Sequence, residues 1–174
     1  MNPIVHAEIG WLLSQPLPTR RERLLVTLAA VVPDVDGLTI LAGEDLYLEW
    51  HHRVAHGWLA AIAVPVVTAA LTRSPRATLL ALVAFHSHIA ADLVGSGPGW
   101  PIWYGWPLSD AEWLPSWQWD LASWQNTVIG LAVTLACLGA ALVVARTPVE
   151  LVSLRADRRV VETLRARFPR LARR

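Results

Sequence analysis

The chain has 174 residues, of which 54% are hydrophobic and only 17% charged, and its formal net charge is +1. With a mean hydropathy of +0.39, it is too apolar and too poor in charge for an ordinary soluble domain of this length. A helical membrane protein fits this composition better than the alternative, an apolar soluble bundle with a Trp-rich core.

Met1 to Gln15 reads as a short helix and not as a secretory signal, because it has no basic leader and carries His6 and Glu8. A first membrane span is expected over Leu24 to Ala42, where Pro33 removes a backbone donor and interrupts the helix at Asp34. Asp34 and Asp36 inside an apolar span ask for a functional explanation. Such an interruption is tolerable where it lines a polar cavity.

The second span is expected from Val54 to Thr72, with His51, His52 and His56 opening it, and the third from Ala77 to Val94, with His86, His88 and Asp92 inside it. His52 and His56 are four apart, as are His88 and Asp92, and on a helix each pair shares a face suited to chelating one ion. His86 is two residues from His88 and points elsewhere. Gly95 to Pro101 is too rich in Gly and Pro for a regular helix, so a loop folding over the site is expected, with Trp100 to Trp124 either anchoring it at the interface or lining an entrance. A fourth span, Thr127 to Ala145, is free of ionisable residues and holds the single Cys137 as a small packing residue.

From Thr147 the pattern changes. Thr147-Pro148-Val149-Glu150 reads as a capping box, opening a basic amphipathic helix on an anionic leaflet. Two regions result, a helical membrane domain over residues 1–146 and this C-terminal helix over residues 147–174. Arginines alternating with apolar residues there favour a lipid surface, so no nucleic-acid partner is expected.

All fifteen basic residues are Arg. Four spans with both termini in the cytoplasm place fourteen of them inside and leave only Arg53 outside, together with nine of the ten Trp. At 1.5 Å per residue, Asp34 and Asp36 lie roughly 16 to 20 Å beyond Arg23, and His88 and Asp92 roughly 18 to 24 Å beyond Arg76. The clusters therefore converge in the outer half of a bilayer. Imidazole and carboxylate converging at one depth form a metal site, and zinc, as one or two ions, is the first expectation. Asp34 or Asp36 is the expected general base, and Arg53 the expected partner of an anionic substrate group or an anchor for a lipid headgroup.

In order, His6, Pro33-Asp34-Val35-Asp36, the His-Arg segment ending at His56, and Ser87-His88-Ile89-Ala90-Ala91-Asp92 followed by a Gly/Pro-rich stretch resemble the YdjM-like family of bacterial inner-membrane proteins, described as metal-dependent hydrolases. Residues 1 to 110 carry the likeness. More distantly the arrangement is similar to zinc-dependent phospholipase C, an all-helical phosphodiesterase. The resemblance implies His6, Asp34, Asp36, His56, His88 and Asp92 as ligands, with His51 or His52 added. His51 has the family's spacing to His56 while His52 has its Arg neighbour, and Gly57 stands where the family often has serine. His6 is a second departure, because a helix that precedes Arg20 to Arg23 should start in the cytoplasm, far from the site.

The expectation is thus an all-α polytopic protein with about four transmembrane helices. Its activity would be metal-dependent hydrolysis of an ester or phosphoester on a membrane-associated, lipid-like substrate. The alternatives are a metal- or proton-translocating protein and a noncatalytic scaffold held by a metal.

Overall fold

The computed structural model describes residues 1–172. Helix α1 (Pro3–Leu13) starts where Asn2 accepts a hydrogen bond from the Ile4 amide and Pro3 supplies a pre-set φ. Helix α2 (Arg20–Ala29) opens with a reciprocal capping box between Thr19 and Glu22. Past Ala30 the α-helix gives way to a 3₁₀ segment, Val32–Ala42, that ends at Gly43 with φ 136°. The interruption expected at Pro33 is present, and the two pieces meet at 56°.

Helix α3 (Glu44–Trp50) leads into a turn that carries His51 to His56, and α4 (Trp58–Thr72) follows. Helix α5 (Pro75–Gly95) is capped by Ser74, α6 (Trp124–Val143) by Ser123 and α7 (Leu154–Arg167) by Ser153. Among the described residues the chain is all-helical, with a single isolated bridge between Ile102 and Trp113.

Helix α5 is the central post, packed against α1, α2, α4 and the 3₁₀ segment. Ala77, Ala81 and Ala84 face Val26, Ala29 and Ala30 of α2, and these small side chains let the backbones approach closely. Gly10 does the same for α1, since a Cβ there would lie 2.6 Å from the Ala30 Cβ. Helix α6 is different, because only 11% of its apolar window is buried, and Val128, Leu131 and Leu135 are exposed. Such a face suits hydrocarbon.

Two helices, α5 and α6, are long and apolar enough to cross a bilayer, and the bent pair of α2 and the 3₁₀ segment makes a third if taken as one span. The second expected span shortens, because the segment from Val54 to Gly57 is a turn and α4 has only 15 residues. That is about 22 Å of helix, against a hydrocarbon core of about 30 Å. The expected four regular crossings therefore reduce to two or three by length and composition.

The C-terminal region also departs from expectation. Glu150 does not close a capping box with Thr147; its carboxylate accepts hydrogen bonds from Arg23 at 2.7 and 2.6 Å and from Trp11 Nε1 at 3.1 Å. Pro148–Leu151 is a short 3₁₀ turn, and the helix begins only at Leu154. Asp157 accepts from both the Thr147 amide and hydroxyl, and Arg165 caps the last carbonyls of α6 at Ala141 and Leu142. Arg155, Arg158 and Arg159 remain exposed on the outer face.

Candidate metal centre

Where α5 nears its C-terminal end, His88 and Asp92 share a helix face as their spacing predicts, with His88 Nε2 3.0 Å from Asp92 Oδ2. Asp92 is the hub. Its Oδ1 lies 3.1 Å from His6 Nε2, and its Oδ2 lies 3.6 Å from both His52 Nε2 and His56 Nε2. The Met1 amine also reaches Asp92 Oδ1. His6, His52, His56, His88 and Asp92 are all essentially buried.

Hydrogen-bond bookkeeping fixes the tautomers at the centre. His88 Nδ1 lies 2.8 Å from the Ala30 carbonyl, which only accepts, so Nδ1 carries the proton. His56 Nδ1 lies 3.0 Å from the Asp36 carboxylate and donates likewise. With the rings neutral, both Nε2 atoms are lone-pair acceptors, and they face each other at 3.2 Å beside the Asp92 carboxylate. On the Oδ2 side of Asp92 the two neutral rings turn acceptors toward one another, while the Met1 amine binds Oδ1. Such an arrangement suits a cation, and neutral imidazole with carboxylate is the donor set of zinc-type ions.

Two overlapping ligand groups emerge, His6 with Asp34, His88 and Asp92, and His52 with His56 and Asp92; within each group the ligand atoms lie within 4.8 Å of one another. They share Asp92. Asp34 adds a carboxylate whose Oδ1 is 3.8 Å from His88 Nε2 and whose Oδ2 is buried without a partner. His6 Nδ1 and His52 Nδ1 are likewise unpartnered, so the cluster holds polar groups that the chain itself does not satisfy.

Asp36 has a different environment. Its carboxylate accepts from the Ala55 amide at 3.1 Å and holds His51 Nδ1 at 2.8 Å and His56 Nδ1 at 3.0 Å. Both of its oxygens are thereby engaged behind the imidazoles, which is the position of a residue that orients ligands. His51 and His52 take different partners. His52 sits at φ 66°, a left-handed conformation uncommon for a side chain of this size, and both rings line one cavity of about 480 Å³. His51 binds Asp36 and stacks on Tyr47, while His52 faces Asp92. His52 and His56 thus converge through a turn and not through a shared helix face.

His6 reaches the centre because α1 runs alongside α2, stacking its imidazole on His88 at 3.7 Å. Met1 therefore lies at the cluster end of α1, while Trp11 lies at the Glu150 end. The first residue and the Glu150 contact thus lie at opposite ends of α1. His86 lies apart, bonded to the Leu82 carbonyl and the Tyr104 hydroxyl. Arg53 stacks on Trp103 at 4.6 Å and does not line the cavity.

The expected loop does fold over the cluster. Trp103 N bonds the His52 carbonyl at 3.1 Å, Trp58 N bonds the Tyr104 carbonyl at 2.9 Å, and Trp100 stands edge-on to His51 and His52. Tyr47 and the Ala30 carbonyl are contributors that ligand spacing did not single out, whereas Trp100 belongs to the aromatic loop expected over the site.

A family model for the YdjM inner membrane protein matches residues 1–156. The chain belongs to the YdjM inner membrane protein family. The match extends past the ligand-bearing segments and α6 into α7, so the Glu150 contact with α1 and α2 lies within the YdjM region. No curated protein and no solved structure matches the chain, and the expected likeness to phospholipase C has no counterpart among them.

Proposed function

We propose that this YdjM-family protein is a membrane-embedded metal-dependent hydrolase that acts on an ester or phosphoester of a membrane-associated substrate. The observation that carries the reading is the pair of imidazole Nε2 acceptors 3.2 Å apart against one carboxylate. Asp92, common to both ligand groups, would hold the metal together with His6, Asp34 and His88 or with His52 and His56, and the donor set favours zinc. Bound zinc supplies Lewis acidity and lowers the pKa of water toward about 7.

The residues around it divide the remaining work. Asp34, which lines the cavity and keeps one oxygen unpartnered, would accept a proton from water there. Asp36 keeps His51 and His56 oriented, and the loop carrying Trp100 and Trp103 limits access of bulk water. Arg53 holds that loop through Trp103. In the bilayer, the bent α2 pair, α4, α5 and α6 make four crossings of unequal length. Arg20 to Arg23, Arg73, Arg76 and α7 then lie at the cytoplasmic side, and the cluster lies in the outer half.

Transport is the competing class. On the cytoplasmic side of the cluster, α2 and α5 meet through Val26, Ala29, Ala30, Ala77, Ala81 and Ala84, an apolar seam that favours a closed site over a conduction path. Metal analysis of purified protein, with His88→Ala and Asp34→Ala beside it, tests the reading. Bound zinc in the wild type, its loss in His88→Ala, and chelator-sensitive turnover of a lipid and phosphodiester panel are expected. Full metal retention in both variants sinks the site, and metal flux into proteoliposomes without any turnover replaces hydrolysis with transport.

A further inference from the structure

Two cavities meet beside the first turn of α1. One, about 480 Å³, has Asp34, His52 and Asp92 in its wall. The other, about 770 Å³, runs between α1 and the first two turns of α6, past Val5, Ala122, Thr127 and Gly130. Met1, Pro3, Asp120 and Leu121 line both, so the two adjoin at these residues.

We propose that the groove between α1 and α6 seats a hydrocarbon chain of an amphiphilic membrane lipid whose polar head reaches the His/Asp cluster. This names the substrate class of the hydrolase reading and rests on it. Three observations converge. First, the polar side chains along the groove are engaged, with Asn126 donating to the Gly95 carbonyl and accepting from Trp119 Nε1, Thr127 donating to the Ser123 carbonyl and Asn2 accepting from the Ile4 amide, while the exposed Asp120 carboxylate, which accepts from the Ala122 amide, lies where the two cavities adjoin. They leave a chiefly apolar occupant as the one the groove satisfies.

Second, the outer wall of the groove is the one helix whose apolar window is almost wholly unburied. Val128, Leu131 and Leu135 continue its surface outward, and in an inner membrane protein lipid chains cover that surface. The groove therefore lies against hydrocarbon on one side and adjoins the cavity of the cluster on the other. Third, Gly130 keeps it open. A Cβ there would already touch Val5 Cγ2 at 3.4 Å, so any longer side chain enters the groove. Above the cluster, by contrast, the Trp-rich loop is tied by backbone hydrogen bonds to the turn that carries His52. Lateral entry from the bilayer is the route this geometry leaves.

The test uses the full chain in nanodiscs that contain a phospholipid with a diazirine midway along one acyl chain. After irradiation, adducts are mapped by mass spectrometry in wild type, Gly130→Phe, Ala122→Trp and Gly139→Phe. Gly139 has open space around its Cβ position and lies outside the groove, so it is the control. Adducts on Val5 and Leu121 are expected in wild type and Gly139→Phe and are expected to be lost in Gly130→Phe and Ala122→Trp, with bound metal unchanged in all four. Adducts confined to Val128, Leu131 and Leu135, or groove adducts that survive both filling variants, overturn the proposal. Labelling does not require turnover, which separates the two readings. Groove adducts without hydrolysis of any ester leave the lipid seat standing and remove the hydrolase, whereas hydrolysis of soluble esters without groove adducts does the reverse.

Discussion

Two buried polar centres occupy opposite ends of α1, and they are built on opposite principles. At one end Arg23 and Glu150 form a two-pronged ion pair, with Trp11 and the Leu17 carbonyl completing the set. Donors meet acceptors, and the centre is complete as protein. At the other end the neutral His56 and His88 rings turn acceptors toward each other beside Asp92, and Asp34, His6 and His52 keep unpartnered atoms. Burial of polar groups thus reports function only when the pairing account does not close.

Breaking the complete centre has the largest expected effect on the fold. Glu150→Ala strands the buried Arg23 guanidinium, and truncating one partner of a buried pair costs about 3–5 kcal/mol. Denaturant titration in detergent should register that loss while the metal content of the folded fraction stays at the wild-type level. Loss of metal at unchanged stability would erase the distinction between the two ends.

Asp36→Asn sharpens the other side. An orienting residue changes metal affinity by about 10- to 100-fold, whereas removal of a ligand abolishes the site. Competition with a chelator of known affinity decides between them, and the intermediate result is expected. Gly10→Ala acts through packing instead, because a Cβ 2.6 Å from the Ala30 Cβ overpacks α1 against α2 and such overpacking costs about 1–3 kcal/mol. A shift in thermal midpoint should accompany it, with metal affinity lowered only as far as His6 is displaced.

The pH response is the smallest effect. Burial alone would raise the Glu150 carboxyl, but hydrogen bonds from Arg23 and Trp11 outweigh it and hold the group below its ordinary value of 4.5. A carboxyl depressed in the folded state contributes its full stabilisation above the unfolded value and loses it as pH falls through the folded one. Unfolding free energy should therefore decline in acid below the ordinary carboxylate range, and Glu150→Gln should flatten that decline.

Much of the cluster was legible because helical spacing is a local property. His88 with Asp92, the exclusion of His86, the break at Pro33 and the Gly/Pro-rich loop all follow from rules that act within a few residues. What the sequence hid depends on tertiary choices. The left-handed backbone of His52 turns two adjacent histidines toward one cavity, and no spacing rule foresees it. His6 seemed too distant because its depth was counted along a simple crossing, while α1 in fact lies alongside α2 with its first turn at the cluster. Thr147 to Glu150 satisfied a capping-box pattern, yet an arginine far away in sequence offered Glu150 a better partner. Arg53 had the chemistry of an anion binder and found an indole face instead.

The break in the first span has a consequence for proton placement. In an uninterrupted helix the carbonyl of Ala30 would accept from the amide of residue 34, but that amide turns back to Val31 at 3.0 Å. Ala30 is left with an orphaned helix-end acceptor, and His88 takes it. Straightening the helix would reclaim that acceptor and let the His88 proton migrate to Nε2, where it would block the face turned toward Asp92. The kink is therefore a chemical switch point, fixing by backbone geometry which nitrogen of a distant ring remains a base.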